Sequence, residues 1–283
     1  MKKLYHRSSK YIWATLTSLF LLIALFLSAQ CIGAEPAFNT EKSWNESAIA
    51  QIAPVPATDT LMFFFCSDFH IPFDDRGIVS AIAEKANNLR PSFVLTGGDN
   101  VQGGIPINFN LLKKTIERFK VPVIAAIGNH DTAYGDYKNQ TEWKKRFGNT
   151  FFYFDVGPAR FIFLNNADSE LTDDQFSFLE NSLKTNLRKF IIMHRPTNYL
   201  NPLYTTPMDK SSGQFRELIK SAKVTAVLMG HEHHFGVYEV DGVKYIVSGG
   251  AGGMLNAKTE NNYHHFIIGY VSPSGFEFEI VKL

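Results

Sequence analysis

From residue 61 onward, short and continuously apolar runs alternate with stretches whose apolar residues recur at helical spacing. LMFFFC at 61–66 precedes a helix-like stretch at 78–89, FVLT at 93–96 precedes another at 111–119, and VPVIAAI at 121–127 follows. Uninterrupted apolar runs suit strands covered on both faces, and their alternation with helices predicts a parallel sheet with right-handed crossovers. The second half is less regular. It predicts strands at 150–156 and 160–164, then a helix over LTDDQFSFLENSL capped by Thr172, with Leu171, Phe176, Leu179 and Leu183 on its apolar face. Further buried strands are predicted at 190–193 and 224–229, separated by a helix at 214–222. Four closing segments, 236–240, 243–247, 265–271 and 276–281, read as antiparallel strands joined by turns such as Asp241-Gly242. The pattern as a whole predicts an α/β fold, a four-layer sandwich of two mixed β-sheets flanked by helices.

The chain ahead of this unit is patterned differently. Lys2, Lys3, Arg7 and Lys10 precede an uncharged run at 11–32 rich in Leu, Ile and Phe. Charge, apolar run and small residues in that order read as an export signal spanning 1–34, cut before Glu35. The run is almost long enough to cross about 30 Å of hydrocarbon, so a retained N-terminal membrane anchor is the alternative. Lipidation of Cys31 is disfavoured, because Ser28 and Gln30 stand where a lipobox has Leu and a small residue. Residues 35–60, with Pro36, Pro54 and Pro56, read as a linker without a fold of its own, and 61–283 as the functional domain. The expected location is periplasmic or extracellular, free or anchored to the membrane by the N-terminal segment.

Composition narrows the chemistry. A chain of 283 residues can hold one large domain, and its 28 basic side chains nearly balance 27 acidic ones. Removing 1–34 takes away four basic and no acidic residues, leaving 24 against 27, a net charge of −3. That balance argues against nucleic-acid binding. Two cysteines, Cys31 and Cys66, exclude a four-thiolate zinc site or a cysteine-ligated iron–sulfur cluster, so metal chemistry must use nitrogen and oxygen donors.

Such donors occur where the apolar runs end. LMFFFC leads to Asp68 and His70, FVLT to Asp99, VPVIAAI to Asn129 and His130, the run at 190–193 to His194, and the run at 224–229 to His231 and His233. The carboxyl ends of parallel strands form the ligand crevice of open α/β sheets, so these residues are expected to converge. Carboxylate, imidazole and amide oxygen without thiolate suit zinc, manganese or iron.

Asp68-Phe69-His70, Gly98-Asp99, Gly128-Asn129-His130-Asp131, His194 and Gly230-His231-Glu232-His233 together resemble the signature of the calcineurin-like metallophosphoesterase superfamily. The resemblance covers roughly residues 61–250 and implies two divalent or trivalent metal ions. Asp68, His70 and His233 would hold one and Asn129, His194 and His231 the other, with Asp99 bridging them. His130 would lie just outside the ligands as a catalytic residue, oriented by Asp131. The activity implied is hydrolysis of a small-molecule phosphomonoester or phosphodiester by attack of a metal-bridging hydroxide, because two cations about 3.5–4 Å apart activate a shared water and clamp an in-line displacement. The alternatives are a non-catalytic binding module of the same fold and a nucleotide- or nucleic-acid-directed member.

Gly98-Asp99-Asn100 and His194-Arg195-Pro196 are also similar to the purple acid phosphatase branch. His70 stands where that branch has glycine, however, and Gln102 where it has a metal-binding tyrosine; Asp-x-His resembles instead the branch holding cyclic-nucleotide phosphodiesterases. Gly98, Gly128 and Gly230 read as sharp turns before ligands, and the GGAGG run at 249–253 as a tight turn near the crevice. Phe69, Asn100, Tyr134 and Arg195 are candidates to line the cleft. His234, His264 and His265 read as packed or solvated, and Cys66 as a buried strand residue.

Overall fold

The computed structural model describes residues 42–73, 77–257 and 259–283, so the export or anchor segment lies outside the described residues. The strands are β1 (Leu61–Cys66), β2 (Val94–Thr96), β3 (Val123–Ala125), β4 (Phe152–Val156), β5 (Ala159–Phe163), β6 (Arg188–Ile192), β7 (Ala226–Met229), β8 (Phe235–Val240), β9 (Val243–Ser248), β10 (His265–Val271) and β11 (Phe276–Lys282). The helices are α1 (Trp44–Ile49), α2 (Ile78–Leu89), α3 (Pro106–Ile116), α4 (Thr141–Phe147), α5 (Asp173–Ser182) and α6 (Ser212–Ser221). One sheet runs β11-β10-β1-β2-β3 and the other β4-β5-β6-β7-β9-β8. Within them β1, β2 and β3 are parallel, as are β5, β6, β7 and β9, while the outer pairings are antiparallel.

Side-chain alternation builds the layers. Leu61, Phe63 and Phe65 of β1 face the second sheet, whereas Phe64 and Cys66 face the helices outside. In the opposite sheet Phe190, Ile192, Ala226 and Leu228 point inward, and Ile191, Val227 and Met229 outward onto Phe176, Leu179, Phe215 and Ile219. Three apolar interfaces therefore separate four layers, helix, sheet, sheet and helix. Rings fill the middle one: Phe63 lies 5.2 Å from Phe161, 5.9 Å from Phe190 and 6.0 Å from Phe93, centroid to centroid. Aromatic pairs at such spacings hold the sheets together beyond the area they bury.

The closing strands divide between the sheets. β8 and β9 complete the second, with β9 parallel to β7, while β10 returns to lie antiparallel to β1 and carries β11 outside it. Hairpin patterning identifies such strands without saying which sheet receives them. Helix α3 begins at Pro106, before the predicted stretch, because proline suits a first helical position where no backbone donor is needed. The seven-residue α4 was not anticipated, since Trp143 and Phe147 alone are too few to define a period.

The linker expectation needs correcting for 42–60, because the compact unit starts at Lys42. Ser43 and Glu46 form a reciprocal capping box at the start of α1. Asn45 then donates through Nδ2 to the Ala125 carbonyl at 3.0 Å and accepts the Ala125 N–H on Oδ1 at 2.9 Å, while Trp44 Nε1 donates to the Val123 carbonyl at 3.1 Å. β3 is the edge strand of its sheet, and these side chains satisfy backbone groups that would otherwise be free to pair with another chain. Asn45→Ala is expected to destabilise the protein by about 1–3 kcal/mol, read as a lower midpoint in urea unfolding, through the buried amide groups left without partners. An unchanged midpoint would contradict this role.

Candidate metal centre

The predicted donors all follow strand ends: Asp68 and His70 leave β1, Asp99 β2, Asn129 and His130 β3, His194 β6, and His231 and His233 β7. Parallel pairing places these ends on one edge of each sheet, and sheet packing brings the two edges together. Ligand-capable atoms lie within 4.8 Å of one another in three groups, Asp68 with His70 and His233, His70 with Asp99 and His130, and Asp99 with His194 and His231. Asp99 joins the halves: its Oδ2 is 3.0 Å from His194 Nε2 and 3.6 Å from His70 Nε2.

The backbone is bent to achieve this. Asp68, His70, Asp99, His231 and His233 have φ of 68°, 52°, 49°, 73° and 47°, a left-handed region costing non-glycine residues on the order of 1–3 kcal/mol each. The surrounding loops hold them there, with Asp68 N–H donating to the Gly98 carbonyl, His70 N–H to the Asp99 carbonyl and Gly253 N–H to the Asp68 carbonyl at 2.8–3.0 Å. Of the three motif glycines only Gly98, at φ 102°, is required by its backbone conformation. Gly128 and Gly230 are required by close approach, since a Cβ there would strike the carboxylates of Asp99 and Asp68. The GGAGG turn does the same for the first half: a Cβ on Gly253 would lie 2.6 Å from His70 Cδ2 and 3.0 Å from His233 Cε1.

Hydrogen bonds set which ring nitrogens face inward. Nδ1 of His70 donates to Gln102 Oε1 at 2.7 Å, Nδ1 of His194 to the Gly97 carbonyl at 2.9 Å and Nδ1 of His233 to the Met254 carbonyl at 2.6 Å. His231 is reversed, its Nε2 donating to the Thr205 carbonyl at 2.8 Å. With those protons placed outward, the inward nitrogens carry lone pairs. His70 Nε2 and His233 Nε2 then stand 3.0 Å apart, His231 Nδ1 and His194 Nε2 3.3 Å apart, and Asp68 Oδ1 3.3 Å from His233 Nε2. Lone pairs so arranged repel unless positive charge lies among them. Asn129 Oδ1 adds a buried oxygen with no hydrogen-bond partner. Among the described residues the ion-pair partners of Asp68 and Asp99 are histidines only. The donor set fits divalent cations, with the outer bonds orienting each imidazole as metal ligands require.

The titration behaviour without a cation expresses the same demand. Burial would raise the Asp68 and Asp99 carboxyls, yet the neighbouring histidines hold both well below the usual carboxylate range. Burial disfavours charge on His233, but contact with Asp68 overrides it and lifts its pKa to about 9. Burial, with His194 and Arg195 nearby, drives His231 down to about 3, which keeps its ring neutral.

Asp131 does not orient the His130 ring. Its carboxylate accepts from Asn100 Nδ2, Gly128 N–H and Val101 N–H at 2.8–3.0 Å, tying the β2 and β3 loops together, and burial with Asp99 nearby raises its pKa to about 7. The His130 ring is held instead by Nδ1 donating to the Gln102 carbonyl at 3.1 Å. Among the candidate cleft residues Phe69 and Asn100 are fully buried, and Arg195 is 2% exposed, with Nε donating to the Ala167 carbonyl and Nη1 to Thr206. Tyr134 is 67% exposed. His234, His264 and His265 are packed, and burial raises the Cys66 thiol. Sequence reasoning missed Glu232 as a support. It is buried, accepts the Thr205 N–H on Oε1 at 2.6 Å, and is raised by that burial to about 7.

A family model described as calcineurin-like phosphoesterase matches residues 61–235, which include every predicted donor. A protein named "Probable cyclic nucleotide phosphodiesterase" from Vesicomyosocius okutanii is 22% identical over 197 residues, 66% of this chain and 82% of that protein. Among solved structures, the yellow lupin purple acid phosphatase PPD1 superposes with a TM-score of 0.67 at 16% identity, over 81% of this chain and 53% of that one, so the chain spans about half its length. GAP50, described as the anchor in the inner membrane complex of Plasmodium, superposes with a TM-score of 0.57 at 19% identity, over 79% of this chain and 84% of that one.

Because His233 titrates at about 9, it is mostly protonated at about pH 8, and a cation can take Nε2 only after that proton leaves. Adding Mn²⁺ or Zn²⁺ to chelator-stripped protein at that pH is expected to release protons, measured by calorimetry in buffers of different ionisation enthalpy. The His233 share disappears as pH rises through about 10, where the ring is already neutral. Binding without proton release at pH 8 would contradict the assignment.

Proposed function

The chain belongs to the calcineurin-like phosphoesterase family of metal-dependent phosphoester hydrolases, and from that premise we propose that it is an exported enzyme hydrolysing small phosphomonoesters or phosphodiesters. The observation that carries the reading is the convergence of Asp68, His70, Asp99, Asn129, His194, His231 and His233 with their lone pairs turned inward. Asp68, His70 and His233 would hold one cation, and Asn129, His194 and His231 the other, with Asp99 shared by both. Iron, manganese and zinc suit these donors. When bound, two such cations supply positive charge for a phosphoryl group and acidify water.

The remaining roles belong to the chain. Asp99 uses Oδ1 to accept the His130 N–H at 2.7 Å, so the residue between the two halves also fixes the backbone of the candidate acid. With Nδ1 donating to the Gln102 carbonyl, the imidazolium form of His130 carries a second proton on Nε2, which can go to the departing alkoxide oxygen and leave the ring neutral. Gln102 holds the outer nitrogens of both His70 and His130, so at that position the side chain orients a ligand where a purple acid phosphatase would supply one. The name of the bacterial relative supports including diesters among the substrates. A protein described as an anchor shares the fold, so the reading rests on the site and not on the fold; the complete donor set favours catalysis over a binding module. The N-terminal order of charge and apolar residues supports export.

In a chromogenic phosphate-ester assay, chelator treatment is expected to remove activity and added metal to restore it. Asp99→Ala should lose both metal retention and turnover, whereas His130→Ala should keep its metal and lower kcat by about 10²–10⁴-fold. Full activity in Asp99→Ala would exclude the scheme.

A further inference from the structure

A cavity of about 770 Å³ opens from His231 and His233, which belong to opposite halves of the donor cluster. Its outer walls include Leu203, Tyr204, Met254 and Leu255. Leu203 is 86% and Met254 85% exposed, and two large apolar side chains in water at the mouth of one cavity form a surface that gains by being covered. Both stand on bonded backbone. The Met254 carbonyl accepts from His233 Nδ1, and next to Leu203 and Tyr204 the backbone of Thr205 is tied through its N–H to Glu232 and through its carbonyl to His231. The bonds that orient the donor histidines therefore also place these apolar walls.

The described lining residues include the carboxyl of Glu232 and no lysine or arginine. Arg195, whose Nη1 lies 3.0 Å from His231 Nε2, is 2% exposed and bonded to Ala167 and Thr206, and it is not among the described lining residues. A second phosphate or a carboxylate on the alcohol part of a substrate would meet Glu232 without a lysine or arginine among the described lining residues to pair with, the lining histidines His231 and His233 being taken up by the metal centre. We infer that this cavity receives the alcohol part of the ester and selects a neutral group with an apolar or aromatic face, with Leu203 and Met254 as the specificity-determining residues. The inference rests on the phosphoesterase reading and narrows it to esters whose only anionic group is the phosphoryl itself. The volume accommodates a group of aryl or larger size.

Phosphonates test this without turnover, because their carbon–phosphorus bond is not hydrolysed. Calorimetric titration of the metal-loaded full chain should give phenylphosphonate about tenfold tighter binding than methylphosphonate, with 4-carboxyphenylphosphonate losing that gain. Combined Leu203→Ser and Met254→Ser substitution should close the phenyl-to-methyl gap while leaving methylphosphonate affinity and Tm unchanged, and Met254→Lys should recover the carboxylated ligand. Lys258→Ala, which removes the cation next in sequence to the lining residues Ala257 and Thr259, should leave the ranking as it is. Equal affinity for phenyl and methyl phosphonates, a gap that survives the double substitution, a ranking altered by Lys258→Ala, or no binding of any phosphonate would overturn the inference. Ranked binding in a protein that hydrolyses no ester would contradict the activity and support the cavity's selectivity; hydrolysis without ranking would do the reverse.

Discussion

Two carboxylates, Asp68 and Asp99, are buried where two sheets meet, and their ion-pair partners among the described residues are imidazoles whose inward nitrogens carry lone pairs. Negative charge and lone pairs concentrated away from water are costly unless cations join them. Much of the local structure serves this arrangement. Five donors adopt left-handed backbone, glycines remove side chains that would strike the carboxylates, and carbonyls of separate loops fix the outer nitrogens of His194, His231 and His233 while the Gln102 side chain fixes that of His70. Without a cation, protons take its place, which is why His233 is driven basic by the carboxylate beside it.

The rest of the fold makes that concentration of charge mechanically possible. Strained strand ends can be held because the strands behind them are anchored in a middle layer of packed rings, Phe63, Phe93, Phe161 and Phe190 among them. A core of this kind is close-packed and yields little, so strain at the edge is not relieved by shifts underneath. The donors then need only short loops, and several of those loops bond to one another directly: Asp131 ties β2 to β3, and Gly253 ties the turn after β9 to the end of β1. The same economy extends outward, since the carbonyls that orient His231 and His233 belong to segments that wall the adjoining cavity.

The sheets and the gathered donors were legible in the sequence because both follow from simple periodicities. A continuous apolar run such as 224–229 marks a buried strand, and a polar residue at its carboxyl end falls in the crevice wherever the strands are parallel. What escaped was mostly backbone. The carbonyls of Gly97, Thr205, Gln102 and Met254 hold the rings, yet a carbonyl leaves no trace in residue identity. Asp131 follows His130 in sequence and was expected to orient it, but its carboxylate turns back to bond Asn100, Gly128 and Val101. Helix α1 was hidden in a proline-bearing stretch, because six residues with one bonded asparagine show no helical period.

The account depends on two cations sharing Asp99. The most direct measurement is metal analysis of chelator-stripped protein reloaded with Mn²⁺ or Zn²⁺, together with anomalous diffraction from crystals of the loaded protein. The account predicts two ions per chain, one among Asp68, His70 and His233 and one among Asn129, His194 and His231, with Asp99 shared by both. A single ion, or ions bound elsewhere while this cluster retains its histidine protons, would contradict it.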